Sequence, residues 1–252
     1  MAALPFIEWD VYHHLLILDV HEKQYDRVKD YIMQHYLSNE LYQTLGYHED
    51  PEFHKDLKTL IKHLLENDSS LMVLDVESDS INGIALLKCM SEEWRSWTSL
   101  QVLINNQHLK ELIDFPRYSV QDYAAEQQTK WDGLHIFYYH VEPFLEANQC
   151  FMAKFFNAIA NVAKHMHMPR ITYMALSRKD AALLEEMGYK EVKRILYSMY
   201  VYKGRRPFDH LRDLNEMHGS LYEFKVEPLK HFEELYPKHG LMGENVKDKK
   251  VA

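Results

Sequence analysis

A junction between a predicted strand and a predicted long helix is the segment of this sequence best placed for binding chemistry. Residues 133–141 are rich in β-branched and aromatic side chains, which predicts a buried strand. A helical run follows from about Glu146 to Lys164. The N–H groups at the start of a helix bind anions such as phosphate, and glycine lets the backbone come close. The connecting loop, 144–151, reads FLEANQCF and contains neither glycine nor arginine. It has the position of a phosphate-binding loop without its residues.

Sixteen histidines are a second source of potential chemistry. One close pair, separated by a single residue, is His165 and His167. Residues two apart lie on different faces of a helix, and a metal site needs three or four converging ligands. The pair therefore predicts a solvated helix end, and the sequence predicts no metal site.

The composition predicts a single α/β domain. The chain has 252 residues, of which 46% are hydrophobic, which suits one substantial core. The formal net charge of −9 argues against a nucleic-acid partner and against an anionic membrane. No run approaches the roughly twenty apolar residues that span a bilayer, and the start lacks a signal-peptide pattern. We therefore expect a cytoplasmic protein, with the nucleus as the alternative.

Hydrophobic spacing and turn residues predict the remaining elements. Their order along the whole chain is strand, two helices, hairpin, insertion, strand, helix, strand, helix, strand. The predicted domain covers residues 1–236 with an insertion at 91–130, which holds a helix at about 102–113, and residues 237–252 are predicted to be a polar, flexible tail. The other predicted bounds are 15–20 for the first strand, 22–36 and 51–66 for two helices, 71–76 and 81–88 for the hairpin, 170–175 for a strand, 179–187 for a helix that Gly188 ends, and 194–203 for the last strand.

Four segments, in this order, resemble motifs of a known family. They are YDRVKDYI at 25–32, the hairpin pair SLMVLD at 70–75 and INGIA at 81–85, AALLEEMGY at 181–189, and YSMY at 197–200. Together they make the chain, over roughly 15–208, similar to the GNAT superfamily of acyltransferases, and more closely to the insect-type arylalkylamine and polyamine N-acetyltransferases. The resemblance implies a mixed, twisted, mostly antiparallel sheet flanked by helices. It also implies transfer of an acetyl group from acetyl-CoA to a small primary amine.

In that family the loop before the long helix binds the coenzyme pyrophosphate and follows the pattern R/Q-x-x-G-x-G/A. The matching positions here are Glu146, Gln149 and Phe151, and Val141 and Ala147 complete the expected coenzyme site. A carboxylate beside a pyrophosphate is repelled by about 1 kcal/mol per charge pair in water. Because side chains also stand where the pattern has small residues, we expect coenzyme affinity to fall by several tenfold steps, each about 1.4 kcal/mol.

The resemblance also implies a catalytic base and hydroxyl groups. A carboxylate must remove a proton from the ammonium group of the acceptor, since only the neutral amine is nucleophilic. Counting back from the Leu-Gly pair that the family shares places Asn39 at the base position without a gap, and Glu40 with a gap of one residue. Ser177 and Tyr197 match hydroxyl-bearing positions of the family. Each also has a structural alternative: a solvated helix-start glutamate, a helix N-cap and a packed strand tyrosine.

Two functions remain open at the level of sequence. In the first, the protein is a degenerate family member that binds coenzyme A poorly and acts as a binding or interaction protein. A protein partner would then bind through the insertion, 91–130, whose aromatic residues otherwise pack on the domain or form a wall of the acceptor site. In the second, it is a working N-acetyltransferase that uses acetyl-CoA and, given its acidic balance, a cationic small amine.

Overall fold

A computed structural model describes residues 7–90, 95–127 and 132–227. The strands are β1 (Glu8–Tyr12), β2 (Leu15–Asp19), β3 (Ser70–Asp75), β4 (Ser80–Met90), β5 (Gly133–Val141), β6 (Arg170–Ala175), β7 (Lys190–Leu196) and β8 (His218–Lys225). The helices are α1 (Tyr25–Ser38), α2 (Glu40–Thr44), α3 (Pro51–Asn67), α4 (Arg95–Leu103), α5 (Gln107–Gln127), α6 (Pro143–Glu146), α7 (Gln149–His165) and α8 (Arg178–Glu186).

The eight strands form one sheet in the order β1-β2-β3-β4-β5-β6-β8-β7. Neighbouring strands are antiparallel except β5 and β6, which are parallel. A hairpin joins β3 to β4, as the sequence predicts. The predicted fold class, α/β with a mixed and mostly antiparallel sheet flanked by helices, is confirmed.

Helices cover both faces of the sheet and bury two apolar clusters. Side chains of α1, α3, α4 and α5 pack in the first cluster, and side chains of α7 and α8 pack in the second. Successive strand residues point to opposite faces, so Leu18 of β2 joins the first cluster and Ile17 joins the second. The sheet is therefore buried on both sides.

The parallel pair β5 and β6 is the feature of the sheet that positions the site. The two strands pair only where Leu134–Ile136 of β5 faces Ile171–Tyr173 of β6. Beyond that point β5 continues to pair with β4, and β6 continues to pair with β8. A gap consequently opens between the two strands toward their carboxyl ends, where α6, α7 and α8 begin.

The sequence prediction misses two strands, one at an edge of the sheet and one in its interior. β1 lies at one edge, and β8 inserts between β6 and β7. Buried Gly219, Ser220 and Glu223 interrupt the apolar pattern of β8, which explains why hydrophobic spacing misses it.

The predicted helix at 102–113 is wrong in its bounds, because the chain forms α4 and α5 with a break at 104–106. The buried carboxylate of Asp56 accepts hydrogen bonds from the backbone N–H groups of Asn105 and Asn106. The side chain of Asn106 then caps α5 by accepting from the N–H of Leu109 at 3.0 Å. A contact from α3 therefore decides where these helices break.

The predicted strand at 194–203 is also wrong in its extent, since β7 ends at Leu196 and the chain turns. The turn lets Tyr197 and Tyr200 both be buried, and both rings pack against Phe115 and Phe208. An uninterrupted strand would send these two tyrosines to opposite faces. The predicted tail at 237–252 lies outside the described residues.

None of the helices in the described ranges is both long and apolar enough to cross a membrane.

Candidate functional site

A cavity of about 560 Å³ lies in the opening between β5 and β6. Residues of β5, β6, α1, α2, α5 and α8 line it. The lining is rich in aromatic and imidazole side chains, namely Tyr36, Tyr42, Tyr138, Tyr139 and Tyr173 with His35, His135 and His140. Such a lining offers flat apolar faces together with a few polar groups, which suits a small organic ligand.

Stacked tyrosines form one wall of the cavity. The rings of Tyr36 and Tyr42 stack at 4.0 Å between centroids, and Tyr138 lies 5.3 Å from Tyr36. Burial raises the pKa of all three phenols, so they stay neutral. The wall can therefore contact an aromatic or aliphatic ligand without adding charge.

Asp180 is a cavity carboxylate with a perturbed pKa. It lies in the first turn of α8, where Ser177 caps the helix by accepting from the N–H of Asp180 at 3.1 Å. The hydroxyl of Tyr139 donates to Asp180 Oδ1 at 3.3 Å. Burial raises the pKa of Asp180, and these polar neighbours together with Lys179 only partly offset it. A carboxylate with a raised pKa is a stronger proton acceptor than an ordinary aspartate, which makes Asp180 a candidate base.

Three side chains that can bind a metal ion or a proton, His35, His140 and Glu142, lie close together beside the cavity. His35 of α1 lies with its Nε2 atom 3.4 Å from Oε1 of Glu142, which directly follows β5. The ring of His35 stacks on that of His140 with centroids 4.0 Å apart. The hydroxyl of Tyr31 donates to Oε1 of Glu142 at 3.0 Å. Burial, reinforced by His35, lowers the pKa of His140 to about 4.

Most backbone N–H groups in the loop between β5 and α7 form hydrogen bonds within the loop. The N–H groups of 145–148 all donate to carbonyls of 142–145. At the start of α7 the side chain of Asn148 accepts from the N–H of Phe151 at 3.1 Å. The backbone carbonyl of Asn148 accepts from the N–H of Met152. Within 145–152 only the N–H groups of Gln149 and Cys150 make no hydrogen bond to described residues. These two are the amides left for an anion.

The predicted coenzyme residues take different positions around this loop. Glu146 lines the cavity, where Lys179 donates to its Oε2 at 2.6 Å. Gln149 donates to Glu186 at 2.6 Å. Val141 is buried at the end of β5, and Ala147 is exposed after α6.

Phe151 lies away from the loop surface. Its side chain is fully buried and packs edge-on against Tyr12, with centroids 5.6 Å apart, and beside Phe155. The expected steric block at this position does not come from the ring, because the ring points into the core. The backbone N–H of Phe151 is not available to a ligand, because it donates to the side chain of Asn148.

The predicted catalytic residues are only partly brought together. Glu40 is exposed in the first turn of α2 and lines the cavity, while Asn39 caps the same helix. Ser177 also lines the cavity, in its role as N-cap of α8. Tyr197 is fully buried, and its hydroxyl donates to the carbonyl of Leu176 at 2.6 Å.

The insertion packs by its aromatics and also lines the cavity. Trp97 and Phe115 are buried, while Leu112 and Pro116 of α5 form part of the cavity wall. Tyr118 is 42% exposed. Trp94, another aromatic residue of the predicted interaction segment at 91–130, lies outside the described residues.

A second cavity of about 450 Å³ lies between α7 and α8. Its lining is mostly apolar and includes Phe156, Met187 and Tyr189. Gln149 and Cys150, whose N–H groups remain free of hydrogen bonds to described residues, stand at its edge. This groove therefore adjoins the two amides that remain available to an anion.

Comparisons with known proteins agree with this architecture. No protein-family model and no curated protein sequence matches the chain. Among solved structures, a putative arylalkylamine N-acetyltransferase 7 from the yellow fever mosquito Aedes aegypti is 15% identical, with 84% of this chain and 88% of that chain covered and a TM-score of 0.69. A polyamine N-acetyltransferase from Drosophila melanogaster, which forms N-acetylagmatine, is 10% identical, with 84% and 100% covered and a TM-score of 0.61.

A third neighbour is the C-terminal condensation domain of Ebony, solved in complex with beta-alanyl-dopamine. It is 21% identical, with 84% of this chain and 99% of that chain covered and a TM-score of 0.64. At such identities the likeness concerns the fold. The chain has the GNAT acetyltransferase fold and resembles small-amine N-acetyltransferases, as the sequence motifs predict.

Proposed function

We propose that the protein keeps the amine-binding cavity of a small-amine N-acetyltransferase but binds coenzyme A weakly, and that it acts as a binding or interaction protein. The single observation that carries the proposal is the loop before α7, where the backbone N–H groups that could hold a pyrophosphate mostly donate within the loop. Phosphate cradles depend on such free amides, because they supply both hydrogen bonds and the positive end of the helix dipole.

Charge at the loop supports the same proposal. Glu146 lines the cavity and forms an ion pair with Lys179. A lysine bound to a carboxylate contributes little attraction to an anion, since the pair is close to neutral overall. An incoming pyrophosphate would have to displace this contact or tolerate the carboxylate.

The first test is thermal unfolding with acetyl-CoA. A ligand that binds only the folded state stabilises it by about 2.7 kcal/mol at 100 times its Kd. We expect no shift of the melting temperature at millimolar acetyl-CoA, and a measurable shift with millimolar arylalkylamine or polyamine. A clear shift at sub-millimolar acetyl-CoA would overturn the proposal.

The second candidate is an active N-acetyltransferase for small cationic amines. It is favoured by the two free amides of Gln149 and Cys150 beside the groove between α7 and α8. In this alternative Glu40 or Asp180 would serve as base, and Ser177 and Tyr197 remain proposed hydroxyl groups. Acetyl-CoA would be its cofactor, with the acceptor amine bound in the cavity.

A gain-of-binding variant separates the two candidates. Glu146→Arg with Gln149→Gly restores a basic residue and a glycine to the family pattern. If the loop alone limits binding, the double variant should gain acetyl-CoA affinity by at least about tenfold, or about 1.4 kcal/mol. Glu66→Arg, an exposed position on α3, is the charge-matched control and should gain nothing. Unchanged affinity in the double variant would contradict the assignment of this loop.

For the interaction function, residues 91–130 remain the proposed partner surface. In the described part of that segment Val102 is 81% exposed and Tyr118 is 42% exposed. We propose that a protein partner would cover these two side chains, provided that they belong to one continuous apolar patch. We also propose a cytoplasmic location, which rests on the sequence alone.

A further inference from the structure

We propose that His35, His140 and Glu142 form a binding site for a divalent cation of the zinc class beside the cavity. One imidazole nitrogen from each histidine and one oxygen of Glu142 all lie within 4.8 Å of one another. Two imidazoles and a carboxylate are a ligand set that zinc and neighbouring transition metals take in proteins. The proposal does not depend on acetyl transfer or on coenzyme binding.

The spacing of two ligand atoms already suits zinc. Ligands about 2.0–2.1 Å from zinc, at the tetrahedral angle, lie roughly 3.4 Å apart. His35 Nε2 and Glu142 Oε1 are 3.4 Å apart. The third atom must close by at most about 1.4 Å to reach that tetrahedral spacing.

One side-chain rotation is required for binding. The rings of His35 and His140 are inclined by only 21°. The lone pair of an imidazole nitrogen lies in the ring plane, so the lone pairs of these stacked rings lie in nearly parallel, separate planes. One ring must therefore tilt for both nitrogens to face one ion. Rotation of an imidazole about its χ2 angle is soft, which makes this adjustment small.

An unpartnered nitrogen points to a missing ligand. His140 Nε2 is sealed from solvent and has no hydrogen-bond partner among the described residues. Leaving a buried polar atom unpaired is unfavourable, because the atom has lost its hydrogen bonds to water. A contact between His35 and Glu142 accounts for those two groups and leaves His140 unexplained, whereas a bound cation engages all three.

The surroundings resemble the outer shell of a metal site. Tyr31 donates to the carboxylate of Glu142 at 3.0 Å and fixes its orientation, as outer partners of metal ligands do. The nearby charges of Glu146 and Lys179 pair with each other. Three protein ligands leave a fourth coordination position open for water or for a ligand in the cavity.

The test is zinc titration of protein treated with chelator and then freed of it. Calorimetry should give one ion per chain, and Co²⁺ in its place should give the visible absorption of a tetrahedral site. Tyr31→Phe should weaken binding by roughly 10- to 100-fold, the usual effect of losing an outer partner. His140→Ala and Glu142→Gln should weaken it further.

The control addresses the many other histidines. His165→Ala with His167→Ala removes a close pair of histidines outside the proposed site and should leave zinc affinity unchanged. If His140→Ala does not fold, as judged by circular dichroism and melting without metal, His35→Gln on α1 replaces it. Equal zinc affinity in wild type and in these ligand variants, or no stoichiometric binding at all, would overturn the proposal.

Discussion

The two ends of the cavity differ in how their polar groups are satisfied. At the loop before α7, backbone N–H groups donate to loop carbonyls and to Asn148, and the charges of Glu146 and Lys179 pair. Beside α1, the buried Nε2 of His140 has no partner among the described residues. At the first end most polar groups are paired within the chain and only the N–H groups of Gln149 and Cys150 remain, while at the second end a buried imidazole nitrogen is unpaired. Under the proposed function, we therefore expect coenzyme binding and ligand binding in the cavity to respond to different variants.

The largest expected effect tests whether Phe151 belongs to the core or to the loop. Phe151→Ala should lower the free energy of unfolding by about 3–5 kcal/mol, because it leaves a cavity in a fully buried cluster. Urea denaturation measures this loss. Although alanine fits the family pattern at this position, we expect no gain of acetyl-CoA binding.

The matched control for Phe151 is Phe144→Ala in α6. Phe144 is 66% exposed, so its loss should change the free energy of unfolding by less than about 0.5 kcal/mol. A cost below about 1 kcal/mol for Phe151→Ala, or acetyl-CoA binding by that variant, would place the ring at the loop surface after all.

The next effect concerns a buried histidine deeper in the cavity wall. His135 contacts Thr172 at 3.0 Å, and burial lowers its pKa from 6.5 to about 3. The unfolded chain therefore binds one more proton than the folded protein between about pH 6.5 and 3. The contribution of neutral, buried His135 to the free energy of unfolding is fully present above pH 6.5. Below pH 6.5 the free energy of unfolding falls by about 1.4 kcal/mol per pH unit as the solution is acidified.

His135→Gln should remove one proton from the pH dependence of unfolding, measured by urea titrations between pH 4.5 and 6. Thr172→Val is the control, because it deletes the hydroxyl and keeps the histidine buried, so the slope should persist. If Thr172→Val abolishes the slope, the hydrogen bond rather than burial is its cause.

The sequence predicts the fold better than the site because helix and strand patterns are local. The spacing of apolar residues predicts α1, α3 and the β3–β4 hairpin, and Gly188 ends α8 in a left-handed conformation with φ of +84°. The break between α4 and α5 escapes prediction, since Asp56 of another helix stabilises it.

The polar cluster escapes prediction for the same reason. Tyr31 and Glu142 lie 111 positions apart in sequence and meet only when α1 packs beside β5. A partial signal was present, because His140 and Glu142 are two residues apart at a strand end and share a face there. Asn148, three residues before Phe151, likewise carries the signature of an N-cap.

A smaller effect tests whether the occupied helix start limits coenzyme binding. Asn148→Ala should lower the free energy of unfolding by about 1 kcal/mol through loss of the cap, whereas Asn148→Asp keeps a capping oxygen and should cost little. Asn148→Gly costs only a few tenths and frees the N–H of Phe151. Calorimetry should then give higher acetyl-CoA affinity for the glycine variant than for the aspartate variant. Equal affinities would show that this amide is not what restricts the loop.

The smallest effect on stability is expected for Lys179. Its side chain is 74% exposed, so Lys179→Met should change the free energy of unfolding by less than about 0.5 kcal/mol, as measured in urea. Because the change leaves Glu146 without its cation, any residual acetyl-CoA affinity should fall further, whereas Glu146→Gln should raise it by releasing the lysine. Opposite responses of these two variants, at nearly equal stability, would attribute the proposed weak coenzyme binding to the carboxylate of Glu146. If both variants change acetyl-CoA affinity in the same direction, the weak binding would instead be due to the backbone amides of the loop.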